Sequence, residues 1–298
     1  MGVSTGIAPP GHSYAPLMIA DAVARLQAWA DDGNWYAQML LALARRFVAL
    51  EFFDRSLAIA AQMLVAFIPL VIGLTALIAD NSAVAEEVIR RLGLTGASVE
   101  MVRLLFDADA LPEDSTGIGS LSVFFLLLSL YLLGKRVRHL YERAYDLPAT
   151  SAKSEWRSVW WVLLLAVLVV MGSATRSWSY DAADWAPAVV LPLSIALTFV
   201  FLWWSPRFLL ARRLSWKHAL PAGVVTGVGI LLTAVWSVVW LPRVIVDQAE
   251  RFGAIGITFG IFTWLYALAL ALVAGAVVAG AIEDVRQGRS PALRGFPV

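Results

Sequence analysis

The sequence contains no cysteine, and its histidines are few and far apart. The lack of cysteine excludes a disulfide framework, a thiolate nucleophile and a cysteine metal site. The three histidines, His12, His139 and His218, lie in separate polar regions, so no histidine-rich metal cluster is expected. Charge is also scarce, because 15% of the 298 residues are charged, against about 25% in a typical soluble domain. We therefore expect neither a soluble protein nor a bound cofactor.

Hydrophobic residues make up 60% of the chain and recur in blocks long enough to cross a bilayer. A helix of about 20 residues crosses about 30 Å of hydrocarbon. The sequence therefore predicts an all-α, polytopic membrane protein with about six transmembrane helices, none with Asp or Glu at its centre. The predicted spans are residues 57–79, 118–134, 157–175, 187–204, 219–241 and 256–282.

Lysine and arginine are distributed unequally between the two sides of these spans. If the N-terminus is inside, the inside segments hold 17 of the 23 basic residues and the outside segments hold 6. The positive-inside rule therefore predicts that both termini are cytoplasmic. Since the basic residues follow membrane sides and do not form one basic segment, the expected partner is the lipid bilayer and not nucleic acid.

The absence of native cysteine makes this orientation directly testable. We expect single cysteines at Ser98, Ser151, Ser215 and Ser290 to react with an impermeant maleimide in intact cells only at Ser98. Permeabilised cells, in which the other sites become accessible to the reagent, provide the control. Labelling at Ser151 or Ser290 in intact cells would overturn the orientation.

The segments around the spans predict the domain organisation. The parts are a disordered N-terminus at 1–15, amphipathic helices at 16–56, a membrane domain at 57–285 with an external helical segment at 80–117, and a cytoplasmic tail at 286–298. The amphipathic helices either lie in the membrane interface or cap the cytoplasmic span ends. The external segment, which is acidic, acts either as a lid or as a packing cap.

Polar and helix-breaking residues inside the predicted spans are candidates for lining a cavity. An amide needs a partner in lipid, and a proline frees a backbone carbonyl, as in the broken helices of transporters. The alternative is an ordinary kink and hydroxyls that bond their own helix backbone. The candidates are Gln62, Pro69, Thr226, Thr233, Thr258 and Thr263.

Small residues at four-residue spacing mark the last two predicted spans. Such residues let helix backbones approach closely in lipid, where no hydrophobic force joins helices. They predict helix packing, with a substrate path as the alternative. The set is Gly223, Gly227, Gly256, Gly260, Ala271 and Gly275.

Arginines and tryptophans lie near the span ends. Arg176, Arg207, Arg212, Arg213 and Arg243 are candidate contacts for an anionic lipid headgroup, or they only fix topology, with Arg176 reaching the interface. The tryptophans at the span ends are predicted to be interfacial anchors, with an aromatic cage for a cationic ligand as the alternative. This tryptophan set includes Trp156, Trp161, Trp204 and Trp216.

Four stretches, taken together, resemble the YihY/BrkB family of bacterial inner-membrane proteins over about residues 35–285. They read AAQMLVAFIP at 60–69, GKRVRHLYERAY at 134–145, RRLSWKHALPAG at 212–223 and FGAIGITFGIFTWLY at 252–266. The resemblance implies six spans with cytoplasmic ends in the inner membrane. It also implies a transporter or an envelope-associated protein, linked to serum resistance and lipid handling.

The chain departs from the family pattern in the sixth span. A typical Gly-Ala-Glu-Leu-Asn is here Gly275-Ala276-Val277-Val278-Ala279, so an ion-coupled role for that glutamate does not carry over. The family's former ribonuclease label finds no support either, because the sequence shows no acidic and histidine cluster for a nuclease. No catalytic residue is predicted.

Three function classes follow, in this order. The first is a transporter or translocator of a lipid-like or amphipathic molecule, which requires a cavity near Gln62 and the polar faces of the last two spans. The second is a non-transporting envelope scaffold, which predicts a solid bundle. The third, a membrane enzyme, lacks the convergent ionisable groups that chemistry requires.

Overall fold

Helices account for most of the described part of the chain. The computed structural model describes residues 29, 34–77, 99, 116–149, 155–182 and 185–288. Only the backbone is described at 68–77, 116–123, 170, 173–174, 176–182, 249–250 and 254. These ranges contain helices and turns but no strand, which confirms the all-α prediction.

The helices follow the predicted spans and extend beyond most of them. They are α1 (Trp35–Ala49), α2 (Phe52–Leu77), α3 (Thr116–Ala144), α4 (Trp156–Ala182), α5 (Ala186–Leu209) and α6 (Trp216–Arg286). The last is interrupted at Gly253, which has φ 59° and ψ −137°. We therefore treat it as α6a (Trp216–Gln248) and α6b (Ile255–Arg286). Gly256 lies close to this interruption, and an added Cβ there would clash with the Gln248 carbonyl.

Within the described residues, α5, α6a and α6b are long and apolar enough to cross a membrane. A shorter apolar stretch, Trp156–Val169, lies on α4. The predicted count of six spans stays a prediction for the whole chain.

Several predicted segments lie outside the described residues. They are the disordered start at 1–15, the first amphipathic helix up to Gly33, almost all of the external segment 80–117, and the tail beyond residue 288. Pro69 and Arg176 lie on described backbone only. The predicted domain boundaries therefore stay predictions.

The chain divides into two compact units. The first consists of Met1–Arg45 and Ala281–Val298, and the second of Arg46–Gly280. In the first unit, α1 begins after Asn34, whose side-chain oxygen accepts the Tyr36 backbone N–H at 3.0 Å. Asparagine is a preferred residue for capping a helix N-terminus, so the sequence itself places the start of α1 here.

In the second unit, α3 runs ten residues past its predicted end at residue 134. Arg46 stabilises this extension, because its guanidinium donates to the Asp146 carboxylate at 2.5 Å and to the Arg143 carbonyl at 3.3 Å. A cation at a helix C-terminus satisfies backbone carbonyls that have no partner within the helix. The hydropathy pattern could not predict this, because half of the ten added residues are charged.

The small residues of α6 lie where helices meet. A Cβ at Gly223 would lie 2.5 Å from the Trp203 Cα, and one at Gly227 would lie 2.5 Å from the Phe199 ring, so α6a packs directly on α5. A Cβ at Gly229 would lie 2.6 Å from the Ala271 Cβ on α6b. The two halves of α6 therefore also approach closely.

The three long apolar helices differ in how deeply they are buried. In the most apolar stretch of each, 61% of α6b is buried, against 17% of α6a and 11% of α5. The core of the second unit therefore includes α6b residues such as Leu265, Ala269 and Val273. The outer faces of α5 and α6a are apolar and exposed, as expected of surfaces that meet lipid.

Candidate functional site

A cavity of about 230 Å³ lies where α5 ends and α6a begins. We call it the α5–α6 pocket. Its lining combines two arginines with three aromatic side chains: Trp204, Arg207, Phe208, Arg212 and Trp216. Trp204, Arg207 and Phe208 are three and four residues apart, so a single face of α5 presents them together. The other two belong to the turn after α5 and to the first position of α6a.

The turn that carries Arg212 is strained. Ala211 and Arg212 both adopt left-handed backbone conformations, with φ of 54° and 62°. Such conformations cost about 1–3 kcal/mol each in residues other than glycine, and they cluster at functional sites because the surroundings hold them. Here the strained turn places a charged side chain in the pocket lining.

Two of the three aromatic residues that line the pocket, Phe208 and Trp216, each have a ring face covered by one of the protein's own cations, and the third, Trp204, stacks on Phe208 with ring centroids 4.2 Å apart. Arg207 lies over the Trp216 ring, 4.9 Å from its centroid, and donates to the Leu214 carbonyl at 2.5 Å. Arg157 lies 5.3 Å from the Trp156 ring and 5.6 Å from the Phe208 ring. It also donates to the Phe208 carbonyl at 3.2 Å. Because these guanidinium groups take the ring faces, Trp156 and Trp216 are poorly suited to a cage for a cationic ligand.

The basic side chains here carry positive charge that no carboxylate balances in the described part of the chain. None of the ion pairs there includes Arg157, Arg207, Arg212 or Arg213. Arg213 instead donates to the Pro148 carbonyl at 2.8 Å. Unbalanced positive charge in a concave, partly apolar site attracts anions.

A second group of charged side chains joins α3 to the start of α4. Tyr131, Lys135 and Arg138 share one face of α3 and converge on Glu155, which precedes α4. The Tyr131 hydroxyl donates to the Glu155 carboxylate at 2.6 Å, and the ion-pair distances are 4.0 Å for Lys135 and 3.8 Å for Arg138. Arg138 is also 3.8 Å from Glu142, which accepts from His139 at 2.7 Å. This cluster balances its own charge and is therefore a structural contact between helices.

The Glu155 carboxyl predicts a pH-dependent contribution to stability. Its pKa lies below the ordinary value of 4.5, first because Tyr131 donates a hydrogen bond to the carboxylate and then because Lys135 and Arg138 are nearby. A lowered carboxyl pKa stabilises the folded state above the ordinary pKa, and this stabilisation is lost as the pH falls through the lowered value. We expect Glu155→Gln to lower the melting temperature in detergent modestly at neutral pH. The difference from the unmodified protein should shrink below pH 4.5.

A difference in melting temperature that stayed constant across this pH range would contradict a role for the carboxylate charge. Asp247→Asn is a suitable control, since Asp247 pairs with Arg251 at an exposed position of α6. An exposed pair of this kind contributes little to stability.

The candidate cavity residues make contacts typical of helix packing. Gln62 donates to the Ser129 carbonyl on α3 at 3.5 Å. Thr233 and Thr263 donate to carbonyls of their own helix, at 2.8 Å and 2.9 Å. Thr226 is buried beside Tyr141, whose phenol pKa burial raises, and Thr258 is exposed. These contacts do not bring the candidates together around a space, and the cavity near Gln62 stays a prediction.

Of the five candidate headgroup arginines, the structure brings Arg207 and Arg212 into one pocket. Arg213 is next to them in the same turn, whereas Arg243 is exposed about 40 Å further along α6a. The sequence did not indicate Arg157, which comes from α4, or Phe208, and it indicated Trp204 and Trp216 only as interfacial anchors or parts of a cage for a cation. A possible signal was the spacing of Trp204, Arg207 and Phe208; no sequence signal links Arg157 to residues some 50 positions away.

One tryptophan differs from its sequence-based interpretation. Trp161 is buried and donates its indole N–H to the Ser205 hydroxyl at 2.8 Å, so the anchor interpretation is wrong for this residue. A buried indole needs a hydrogen-bond acceptor, and α5 supplies one. Trp156, Trp160 and Trp216 are exposed, as interfacial anchors should be.

Comparison with protein families identifies the chain. The family model described as "Virulence factor BrkB" matches residues 43–295, which include every helix from α2 to α6 and the whole α5–α6 pocket. Comparisons with curated proteins and with solved structures gave no match. The match covers well over half of the chain and includes all four motifs that resemble YihY/BrkB proteins. The chain is therefore a membrane protein of the BrkB family.

Proposed function

We propose that this protein binds an amphipathic, lipid-like molecule at the α5–α6 pocket and moves it across the inner membrane. The strongest support is that one small pocket is lined by three aromatic side chains and by two arginines whose charge no carboxylate of the described residues balances. Pockets that enclose a whole small molecule usually measure about 300–1,000 Å³. A cavity of about 230 Å³ suits a headgroup better than a complete amphiphile.

The surfaces that leave the pocket suit an apolar tail. On α6a, exposed apolar side chains follow Trp216 at successive turns, at Leu220, Val224 and Val228. On α5, Leu197 and Val200 are exposed one to two turns before Trp204. A tail could lie along these helices in the bilayer while its headgroup occupied the pocket, so no charged group would need to be buried among the helices.

The same proposal places the pocket on the cytoplasmic side, with six spans and both termini cytoplasmic. Its support is the excess of Lys and Arg in the predicted inside segments, which include Arg207, Arg212 and Arg213. The proposal assigns no catalytic step to any residue.

The proposal can be tested with purified protein in liposomes that contain a fluorescent phospholipid and a membrane-impermeant quencher outside. In empty vesicles the quencher reaches only the labelled lipid of the outer leaflet. If the protein moves lipids between the leaflets, a larger fraction of the fluorescence should be quenched. Arg207→Gln with Arg212→Gln should reduce this movement. Arg243→Gln is the control, because it removes one exposed arginine of α6a that lies far from the pocket.

Folding of each variant is checked by size-exclusion chromatography and thermal unfolding. If the folded protein neither binds nor moves lipid above the level of empty vesicles, the proposal is wrong and the scaffold function takes its place. If the double variant moves lipid as fast as the unmodified protein, the α5–α6 pocket is not the site.

A further inference from the structure

We propose that the α5–α6 pocket selects a phosphate-ester headgroup that carries no quaternary ammonium, such as a phosphomonoester on an apolar tail. This inference rests on the proposed function and specifies its ligand class. The geometry that carries it is the position of the guanidinium groups, which both supply positive charge and cover aromatic faces.

Positively charged side chains surround the pocket. Arg207 and Arg212 line the pocket, and Arg157 stacks on Phe208, which also lines it. Arg207 donates one hydrogen bond to the Leu214 carbonyl, and a guanidinium has five N–H donors, so donors remain for a ligand. Guanidinium groups bind phosphate oxygens through paired, charge-assisted hydrogen bonds, which are stronger than bonds between neutral groups.

Two aromatic rings of the pocket are poorly placed to bind a quaternary ammonium group. A quaternary ammonium headgroup is normally recognised by the faces of aromatic rings. Here the Trp216 face is occupied by Arg207 at 4.9 Å and the Phe208 face by Arg157 at 5.6 Å. A second cation at these rings would meet like charge in place of an open face. A zwitterionic choline headgroup would therefore lose its usual contacts at these two rings, and its ammonium group would be repelled.

The ends of α5 and α6a beside the pocket also favour an anion. Trp216, which is exposed, is the first residue of α6a, so the positive end of a helix dipole lies at the pocket. The carbonyl of Phe208, near the negative end of α5, is covered by its hydrogen bond from Arg157. The local arrangement thus strengthens the positive potential and weakens the negative one where a phosphate would lie.

The test measures binding of lipids with identical acyl chains to the purified, detergent-solubilised protein by native mass spectrometry or fluorescence competition. The probes are phosphatidic acid, phosphatidylcholine and diacylglycerol. We expect phosphatidic acid to bind about tenfold to hundredfold more tightly than phosphatidylcholine, the range for charge-assisted hydrogen bonds. Arg207→Gln with Arg212→Gln should remove this preference. Arg207→Lys, which keeps the charge, should weaken it, and Arg243→Gln should leave it unchanged.

Inorganic phosphate and glycerol phosphate distinguish a lipid from a free anion. If either soluble compound displaces phosphatidic acid at equal concentration, the site takes a free phosphate and the tail contributes nothing. Equal binding of phosphatidic acid and phosphatidylcholine overturns the headgroup selection while the proposed function survives. Absence of binding by all three lipids overturns the proposed function itself. Loss of preference in Arg243→Gln would assign the effect to general surface charge and would also overturn the proposal.

Discussion

Glu142→Ala is expected to destabilise the protein by about 3–5 kcal/mol, the usual cost of removing one partner of a buried charge pair. Glu142 is 4% exposed and lies 3.8 Å from the Arg138 guanidinium, which is itself 2% exposed. Within the described residues, its removal leaves the buried Arg138 with the partly exposed Glu155 as its one ion-pair partner. Two Arg138 nitrogens, Nε and Nη1, have no hydrogen-bond partner among the same residues. The loss should appear as a large decrease in melting temperature in detergent.

The matched control also removes the positive charge of Arg138, which Glu142→Ala leaves without its buried partner. In the double variant Arg138→Met with Glu142→Leu, apolar side chains replace both members, and such replacements of buried pairs are often neutral or stabilising. We expect the double variant to recover most of the stability that Glu142→Ala loses. A double variant as unstable as Glu142→Ala would show that packing, and not an uncompensated charge, explains the effect.

The hydropathy of the chain was sufficient to predict its helices but not their ends. Within the described residues, each of the six predicted spans lies on a helix, because long apolar blocks have few alternatives to helix in a bilayer. The α3 helix continues past residue 134 because Arg46 caps it from 97 positions away, and no local pattern carries that information. Similarly, the sequence predicts two spans where the structure has α6, which is interrupted at Gly253 between α6a and α6b.

The candidate site could be predicted only in part. Arg207 and Arg212 were indicated because they flank a span end, where charge is expected to meet headgroups. Arg243 was indicated on the same grounds although it lies far from the pocket, because adjacency to a span does not tell which arginines converge. Arg157 joins the group through contacts with Phe208 and Trp156. Its role depends on how α4 lies beside α5, which is a property of tertiary packing.

The second large effect is expected at Gly275, one of the closest approaches between the two halves of α6. An added Cβ would clash with the Thr226 hydroxyl and would lie 2.8 Å from the Ala222 carbonyl oxygen. Both are on α6a and both residues are fully buried, so relaxation requires the helices to separate. Overpacking of this kind costs about 1–3 kcal/mol and occasionally more. We expect Gly275→Ala to lower the melting temperature, and Gly275→Leu to prevent recovery of folded protein.

Two further variants separate this clash from other effects of replacing glycine. At Gly260, also on α6b, the nearest atoms to an added Cβ are 3.5 Å and 3.7 Å away, an ordinary contact distance. Gly260→Ala should therefore be neutral or slightly stabilising, because alanine favours helix over glycine by about 1 kcal/mol. Thr226→Ala removes the hydroxyl and should partly rescue Gly275→Ala, although the contact with the Ala222 carbonyl remains. If Gly275→Ala proved as stable as Gly260→Ala, α6a and α6b would have to lie further apart than the structure shows, and the small residues would not be needed for packing.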